Sequence, residues 1–445
     1  MSRRTLTKPL AVLVAALVLL SGGAVTAQAT PGEGVERASA ATATLRKPQS
    51  VRWSVLPGGA VRVGWSYDDP AASFRVHLGL EQIGSRGTLV IPVAAGQHAV
   101  VLDSSTLRKL RAPIGSGRHF NVRVEARNGV QFSGLTKNTW VMAGQRVTER
   151  PARATRVRVA AFNLGFTPDL STTRLASRRI AVAKPIAASG ASVVAVQESV
   201  VLSGDDTRLR ALRTQIRLAQ QRTGVAASWR WVRSTRYVAP GWHHGGDGTR
   251  ILYDAKRLRL LSNCPEFSGS RKLAYSASCA IKLPRVGGVR EQRWAAIARF
   301  QDRGTGQKFW VVSVHLEPRK GRIYDANRRA QRDRILTRLE RVNRAGEPVI
   351  IAGDFNLSGQ RSSDLTTLNG VVARGYVDAV TAERAHNLEY RTYNGWERPR
   401  RTGGSGYAAR IDMIYGGGTV HFSDYTTVLS RASDHHLIRA TAWID

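Results

Sequence analysis

Between Gln49 and about Ala143, apolar and polar residues alternate in short runs separated by turn formers. Ser50-Val-Arg-Trp-Ser-Val, Ala60-Val-Arg-Val-Gly-Trp65, Phe74-Arg-Val-His-Leu and Phe120-Asn-Val-Arg-Val-Glu-Ala126 each put their apolar residues on one face. Strand side chains alternate with period two, so this pattern predicts a β-sandwich of about a hundred residues. A linker containing Pro151 follows, and the period then changes. Strands are predicted at Arg156–Asn163, Ser192–Glu198, Thr249–Tyr253, Trp294–Phe300, Phe309–His315, Pro348–Asp354, Arg410–Tyr415 and His436–Trp443. Helices are predicted at Thr173–Ser189, bent or ended by Pro185, at Thr207–Arg222 and at about Ala326–Asn343. Strands alternating with helices make an α/β domain with layered sheets.

Several of these strands stop at a residue able to bind a metal or move a proton. Asn163 ends the first and Glu198 the second; His315 and Asp354 end two more. In Val349-Ile-Ile-Ala-Gly-Asp354-Phe-Asn356, period two puts Asp354 and Asn356 on one side of the strand. Asp412 lies in Arg410-Ile-Asp-Met-Ile-Tyr, and Ser433-Asp434-His435-His436 precedes the last strand. One such residue is an ordinary turn former. Their succession along the chain indicates a site. Glu198, Asn163 and Asp434 offer oxygen to a hard cation, Mg²⁺ or Mn²⁺. Asp412 is suited to orient His435, Asp354 to take the proton of an attacking water, and Asn356 to hold that water's oxygen. His315 and Arg293 are suited to the remaining charge of a phosphate.

Charge adds a partner class. The chain has 67 Lys+Arg against 32 Asp+Glu, a formal net of +35, and residues 151–445 hold 48 basic against 24 acidic residues. Such a surface attracts nucleic acid, anionic headgroups or acidic wall polymers. The N-terminus has a secretory layout: Arg3, Arg4 and Lys8, the apolar run Leu10 to Leu20, then Ala27-Gln-Ala29. No other segment is suited to crossing a membrane, so the mature chain is expected to be exported. Export favours a disulfide between Cys264 and Cys279, whose short loop is worth roughly 3 kcal/mol.

On Trp65 and Phe120-x-Val-x-Val-x-Ala126-x-Asn128, the sandwich resembles a fibronectin type III domain, with Phe120 where that family usually has a tyrosine. The resemblance implies a spacer or attachment module. On Phe162-Asn163, Gln197-Glu198, Val314-His315, Gly353-Asp354-Phe355-Asn356, Arg410-Ile411-Asp412 and Ser433-Asp434-His435, the remainder resembles the endonuclease/exonuclease/phosphatase superfamily. This implies a four-layered α/β sandwich of two packed mixed sheets flanked by helices, and metal-dependent hydrolysis of a phosphoester. It makes Asn163, Glu198 and Asp434 metal-site residues and His315, Asp354, Asn356, Asp412 and His435 catalytic. Arg293 matches a phosphate-side arginine of pancreatic-type deoxyribonucleases. Those enzymes have a basic residue two positions after the metal glutamate, where Val200 stands here; Asp247 lies roughly where a partner for the first histidine is expected.

The expected division is a signal peptide at 1–29, a flexible leader at 30–48, a sandwich at 49–146, a linker at 147–155 and a catalytic domain at 156–445. The shared core does not separate nucleases from sphingomyelinases or inositol-phosphate phosphatases. Basic charge, the loop Arg391-Thr-Tyr393-Asn-Gly-Trp396-Glu-Arg398-Pro-Arg400-Arg401, and Arg319-Lys320-Gly-Arg322 with Asn327-Arg328-Arg329 favour a nucleic acid substrate. A non-catalytic adhesive protein is the reading from another class, and the full set of acids and histidines argues against it.

Overall fold

Hydrophobic runs such as Val193-Val-Ala-Val and Val349-Ile-Ile-Ala are apolar on both faces, and strands of this kind must be covered on both sides. The computed structural model of the protein has this arrangement. It describes residues 45–445 except 81–87, 115–117, 144–153, 167–171, 200–206, 223, 225–226, 233–234, 237–247, 265–273, 276–277, 290, 359–361, 383 and 401–407. The proposed signal, most of the leader and of the linker, Val200 and Asp247 lie outside the described residues.

Among the described residues, the strands of five or more residues from Thr155 onward are β1 (Thr155–Phe166), β2 (Val193–Ser199), β3 (Arg250–Asp254), β4 (Trp294–Asp302), β5 (Lys308–His315), β6 (Val349–Asp354), β7 (Asp412–Gly417), β8 (His421–Val428) and β9 (Leu437–Ile444). Four helices accompany them: α1 (Thr172–Ala188), α2 (Thr207–Gln221), α3 (Arg322–Val342) and α4 (Ser362–Val372). One seven-stranded sheet has the order Trp229–Trp231, β3, β2, β1, β9, β8, Arg384–His386. The other runs Leu258–Leu260, β4, β5, β6, β7, Val377–Asp378, with Ala280–Lys282 also on β4. Each sheet contains a parallel pair of long strands, β1 with β2 and β5 with β6, flanked by an antiparallel neighbour, β9 or β7; the short edge strand Arg384–His386 also runs parallel to β8. Parallel neighbours need a crossover, and α1 and α3 supply it.

Period two divides each buried strand between two cores. Val193 and Ala195 of β2, like Ile350 and Ala352 of β6, enter the core between the sheets. Val194 and Val196 face α1 and α2, whose Val182, Ile186, Leu212 and Ile216 cover them. Val349 and Ile351 face Ile335 and Leu339 of α3 and Leu368 and Val371 of α4. The layers are thus helix, sheet, sheet, helix, as expected. Helix α1 runs through Pro185 to Ala188 rather than ending at it. Helix α3 starts a turn earlier than its apolar period suggests, after Gly321 at φ +121. Helix α4 and strand β8 were not anticipated. Thr, Asn, Gly and Val are weak helix formers and obscure the spacing of Leu365, Leu368 and Val372. Cys264 and Cys279 are disulfide-bonded, with Cα atoms 5.7 Å apart.

The N-terminal strands form two sheets. Gln49–Val55, Val61–Ser66 and Ala99–Leu102 make one; Leu89–Val93, Ser73–Gly79, His119–Asn128 and Gln131–Phe132, with Thr139–Met142, make the other. Their shared core contains Trp65, edge-on to Phe74 at 5.1 Å, together with Phe120. Thr139–Met142 serves two cores at once: Val141 packs in the sandwich, while Trp140 and Met142 enter the core between the large sheets. His119 N–H donates to Asn369 Oδ1 of α4 at 3.1 Å. Thr44–Asp445 accordingly make one compact unit, so the sandwich is packed into the α/β region and not merely tethered to it.

Two stability predictions follow from close packing. A Cβ at Gly353, where φ is +142, would lie 2.2 Å from Val314 O. Gly353→Ala is expected to cost about 2–4 kcal/mol, read as a lowered calorimetric Tm. Burial, reinforced by Arg410 and opposed by Asp378, pushes His119 down to about 4. The unfolded histidine binds protons first, so stability is full above pH 6.5 and is lost as pH falls from 6.5 toward about 4. His119→Phe should flatten that part of the stability–pH curve relative to wild type, by up to about 3 kcal/mol.

Candidate active site

The parallel strand pairs end on the same side of the molecule. Asn163 lies beside Gln197 in the β1–β2 register, one residue from Glu198. His315 pairs with Asp354, and Asp354 with Asp412. Asp354 is 1 % exposed, and its Oδ2 is the point of convergence. Asn163 Nδ2 donates to it at 3.2 Å, His315 Nε2 lies at 3.5 Å and His435 Nε2 at 3.8 Å. Oδ1 accepts the Asn356 N–H at 2.8 Å. That last bond closes a turn, so the period-two expectation fails beyond Asp354. Asn356 adopts φ +55, and its side chain donates to Leu316 O at 3.0 Å. Asp354 and Asn356 remain adjacent through turn chemistry, not through a continuing strand.

His435 Nδ1 meets Asp412 Oδ2 at 2.9 Å and Oδ1 at 3.2 Å, both residues being buried. This bond directs Nε2 toward Asp354. Thr392 Oγ1 accepts the Asp412 N–H at 3.1 Å and so fixes the start of β7. Burial alone would depress the His435 imidazolium; Asp412, as hydrogen-bond acceptor and charge, then Asp354 and Asp434 outweigh it and push the pKa up to about 10. Burial pushes the Asp354 carboxyl up from its ordinary value, with His435 opposing and Asp412 reinforcing.

Glu198 interrupts the β1–β2 register with φ +50, and the irregularity leaves its side chain 28 % exposed. Its Oε1 accepts from Asn163 Nδ2 at 3.0 Å and lies 4.0 Å from His315 Nε2. A hard cation is suited by such a reachable carboxylate plus water. Glu198 and Asp434 both act electrostatically on Arg178 and Tyr393. Asn163 behaves otherwise than expected of an oxygen ligand. Its Oδ1 accepts the Gly165 N–H at 3.0 Å and its amide faces Glu198 and Asp354. Asp354, Asp412 and His435 also bring possible ligand atoms within 4.8 Å of one another, but the His435 Nδ1 bond to Asp412 makes them an acid–imidazole dyad beside a carboxylate. Glu198 is thus the reachable carboxylate of this cluster that suits a divalent cation.

Arg293 lies 3.9 Å from Glu291 and acts electrostatically on Glu317. Glu317 was not anticipated, although its spacing two after His315 was visible. Fully buried, it accepts from Arg319 Nε at 2.7 Å and Asn327 Nδ2 at 3.3 Å. Burial opposes its charge, but Arg319 and then Arg293 hold its carboxyl below the usual range. Arg328, read above as favouring a nucleic acid substrate, is buried and donates to Glu317 O and Arg319 O. Farther along the sheet edge, two adjoining cavities of about 440 and 410 Å³ share Arg213 and Arg230. Arg210 and Arg250 line the larger and Arg217 the smaller, and among the described residues no carboxylate lines either.

Acids and imidazoles gathered at the strand ends of a two-sheet α/β sandwich define a protein of the hydrolase class. The chain belongs to the Endonuclease/Exonuclease/phosphatase family, whose model matches residues 160–435. Members of this family are hydrolases of phosphoester bonds and generally use a divalent metal. No curated protein matches the chain. Among solved structures, an endonuclease/exonuclease/phosphatase from Bacteroides vulgatus is 20% identical, with TM-score 0.48, covering 65% of this chain and 100% of its own. A mannosyl-6-phosphatase from Bacteroides thetaiotaomicron is 15% identical, with TM-score 0.46, covering 64% and 99%. TDP2 from D. rerio, complexed with single-strand DNA product, is 18% identical, with TM-score 0.42, covering 65% and 99%.

The dyad has a spectroscopic consequence. In EDTA, the His435 imidazole should titrate near 10 by histidine NMR. Asp412→Asn removes the carboxylate that opposes burial, and the titration should fall by several pH units. An unchanged titration would contradict the assignment of Asp412 as its cause.

Proposed function

We propose that the protein is a secreted, metal-dependent phosphodiesterase that hydrolyses nucleic acid. The observation that carries the hydrolytic part is the convergence of Asn163, His315 and His435 on one buried carboxylate oxygen of Asp354, next to the reachable Glu198. In this reading Asp354, made more basic by burial, takes the proton of the attacking water. Asn356 orients the water, which attacks in line with the leaving oxygen. His435, kept protonated by Asp412, donates through Nε2 to a phosphoryl oxygen, and His315 meets the same developing charge. Glu198 and Asp434 would hold Mg²⁺ or Mn²⁺, which when bound supplies Lewis-acid polarisation of the phosphate.

Support for nucleic acid comes from charge. The net of +35 and the arginine-lined cavities around Arg213 and Arg230 suit a phosphate backbone. Among the described residues, no helix is long and apolar enough to cross a membrane. Export through residues 1–29, a fibronectin type III-like module at 49–146, a linker at 147–155 and a catalytic domain at 156–445 complete the proposal. An anionic extracellular polymer is the second partner suited to the same charge.

The test offers supercoiled plasmid, RNA, sphingomyelin and phosphorylated inositols to the protein, with Mg²⁺, Mn²⁺ or EDTA. Cleavage of plasmid or RNA with metal and none with EDTA is expected. Asp354→Ala and His435→Ala should each lower the rate by about 10²–10⁴-fold. Turnover of the lipid or the inositols alone would assign the same site to another phosphoester. No turnover of any substrate would favour a binding protein.

A further inference from the structure

The turn Thr392–Trp396 is fastened to the catalytic segment Ser433–His436 by its backbone. His436 N–H donates to Thr392 O at 2.7 Å, and Tyr393 forms an isolated bridge with His435. The N–H groups of Asn394 and Gly395 both donate to Asp434 O, at 2.7 and 3.1 Å. Asn394 Nδ2 donates to Ser433 O at 3.1 Å, while its Oδ1 accepts the Trp396 N–H at 2.8 Å. These bonds hold Trp396 at φ +68, a conformation that costs a bulky residue free energy. Both rings nevertheless stay in solvent: Tyr393 is 48 % and Trp396 45 % exposed. Tyr393 stands edge-on to His435 with ring centroids 5.1 Å apart. Trp396 packs against the Arg178 guanidinium at 4.2 Å, and Arg178 is itself tied to Leu164 O and Gly165 O beside Asn163.

A strained backbone that keeps two large rings in water beside an acid–imidazole dyad contributes nothing to the core. We infer that Tyr393 and Trp396 form a stacking shelf that receives the nucleobase next to the scissile phosphate. The inference rests on the nucleic acid reading and specifies its substrate contact. Aromatic faces accept any base, so the shelf fixes where the ring sits without selecting a sequence. Arg178, with its guanidinium on Trp396, backs the shelf as a cation–π partner.

The test compares thymidine 5′-(p-nitrophenyl phosphate) with methyl p-nitrophenyl phosphate, which share a leaving group and differ in a nucleoside against a methyl group, and the Trp396 variants below isolate the contribution of the base. Wild type should prefer the nucleoside ester, mainly through KM. In Trp396→Ala the kcat/KM ratio of nucleoside to methyl ester should fall about 10–100-fold, and Trp396→Phe should restore most of it. A ratio within about twofold of wild type would overturn the shelf, as would equal losses on both esters. A second arm needs no turnover: in EDTA, a trinucleotide containing 2-aminopurine should lose fluorescence on binding, and Trp396→Ala should abolish that loss. Quenching without hydrolysis of any nucleic acid would remove the nuclease reading and keep the shelf. Hydrolysis without Trp396-dependent quenching would remove the shelf and keep the nuclease. Thermal melts of each variant separate misfolding from loss of stacking.

Discussion

Asp354 is a carboxylate taken almost wholly out of water, and the rest of the site is arranged around the cost of doing so. Burying a charge of this kind costs several kcal/mol unless donors meet it. Asn163 approaches from one sheet, His315 from the other, and His435 from the segment before β9; the Asn356 backbone occupies the second oxygen. The two sheets must therefore sit at a fixed separation. Behind the cluster a second buried link supports this, with Gln197 Nε2 donating to Ser313 Oγ at 3.0 Å and Ser313 to Val196 O at 3.2 Å.

Strain collects where that constraint is met. Among the described residues, six non-glycine positions have a left-handed φ, and Glu198, Asn356 and Trp396 are three of them. Each lies where the chain leaves regular structure to present a side chain at the strand ends. The surrounding hydrogen bonds hold these conformations, which would relax in a free peptide. Glu198 gains exposure from its interruption of the register, whereas Asp354 and Asp412 stay buried. Similar side chains thereby become suited to different tasks.

The basic composition divides in the same manner. Arg410 and Arg328 are fully buried; the former pairs with Asp378 at 2.7 Å and touches Met142, the latter holds the chain after His315. These arginines are structural. Arg213, Arg217 and Arg230 remain at the surface along cavities that, among the described residues, no carboxylate lines. The same residue type thus stitches the interior and charges the edge, and net charge alone cannot separate the two uses.

The order of polar residues at strand ends, from Asn163 to His435, was legible in the sequence because a buried strand has few reasons to end on a carboxylate. The layered α/β class and the mainly β character of the described residues between 49 and 143, which hold one short helix at Ser104–Lys109, were legible through the 3.6- and two-residue periods. Helix α4 was not, because weak helix formers carry its apolar spacing. Glu317 and Arg328 were not, because burial and pairing arise only when α3 folds back on β5. The inward turn of the Asn163 amide, the partial exposure of Glu198 and the union of the sandwich with the α/β core were equally out of reach. Sequence periodicity specifies which face a residue occupies and where an element ends. The partners across sheets, hundreds of positions apart in the chain, are set by packing, and they decide which carboxylate is buried, which is reachable and which imidazole keeps its proton.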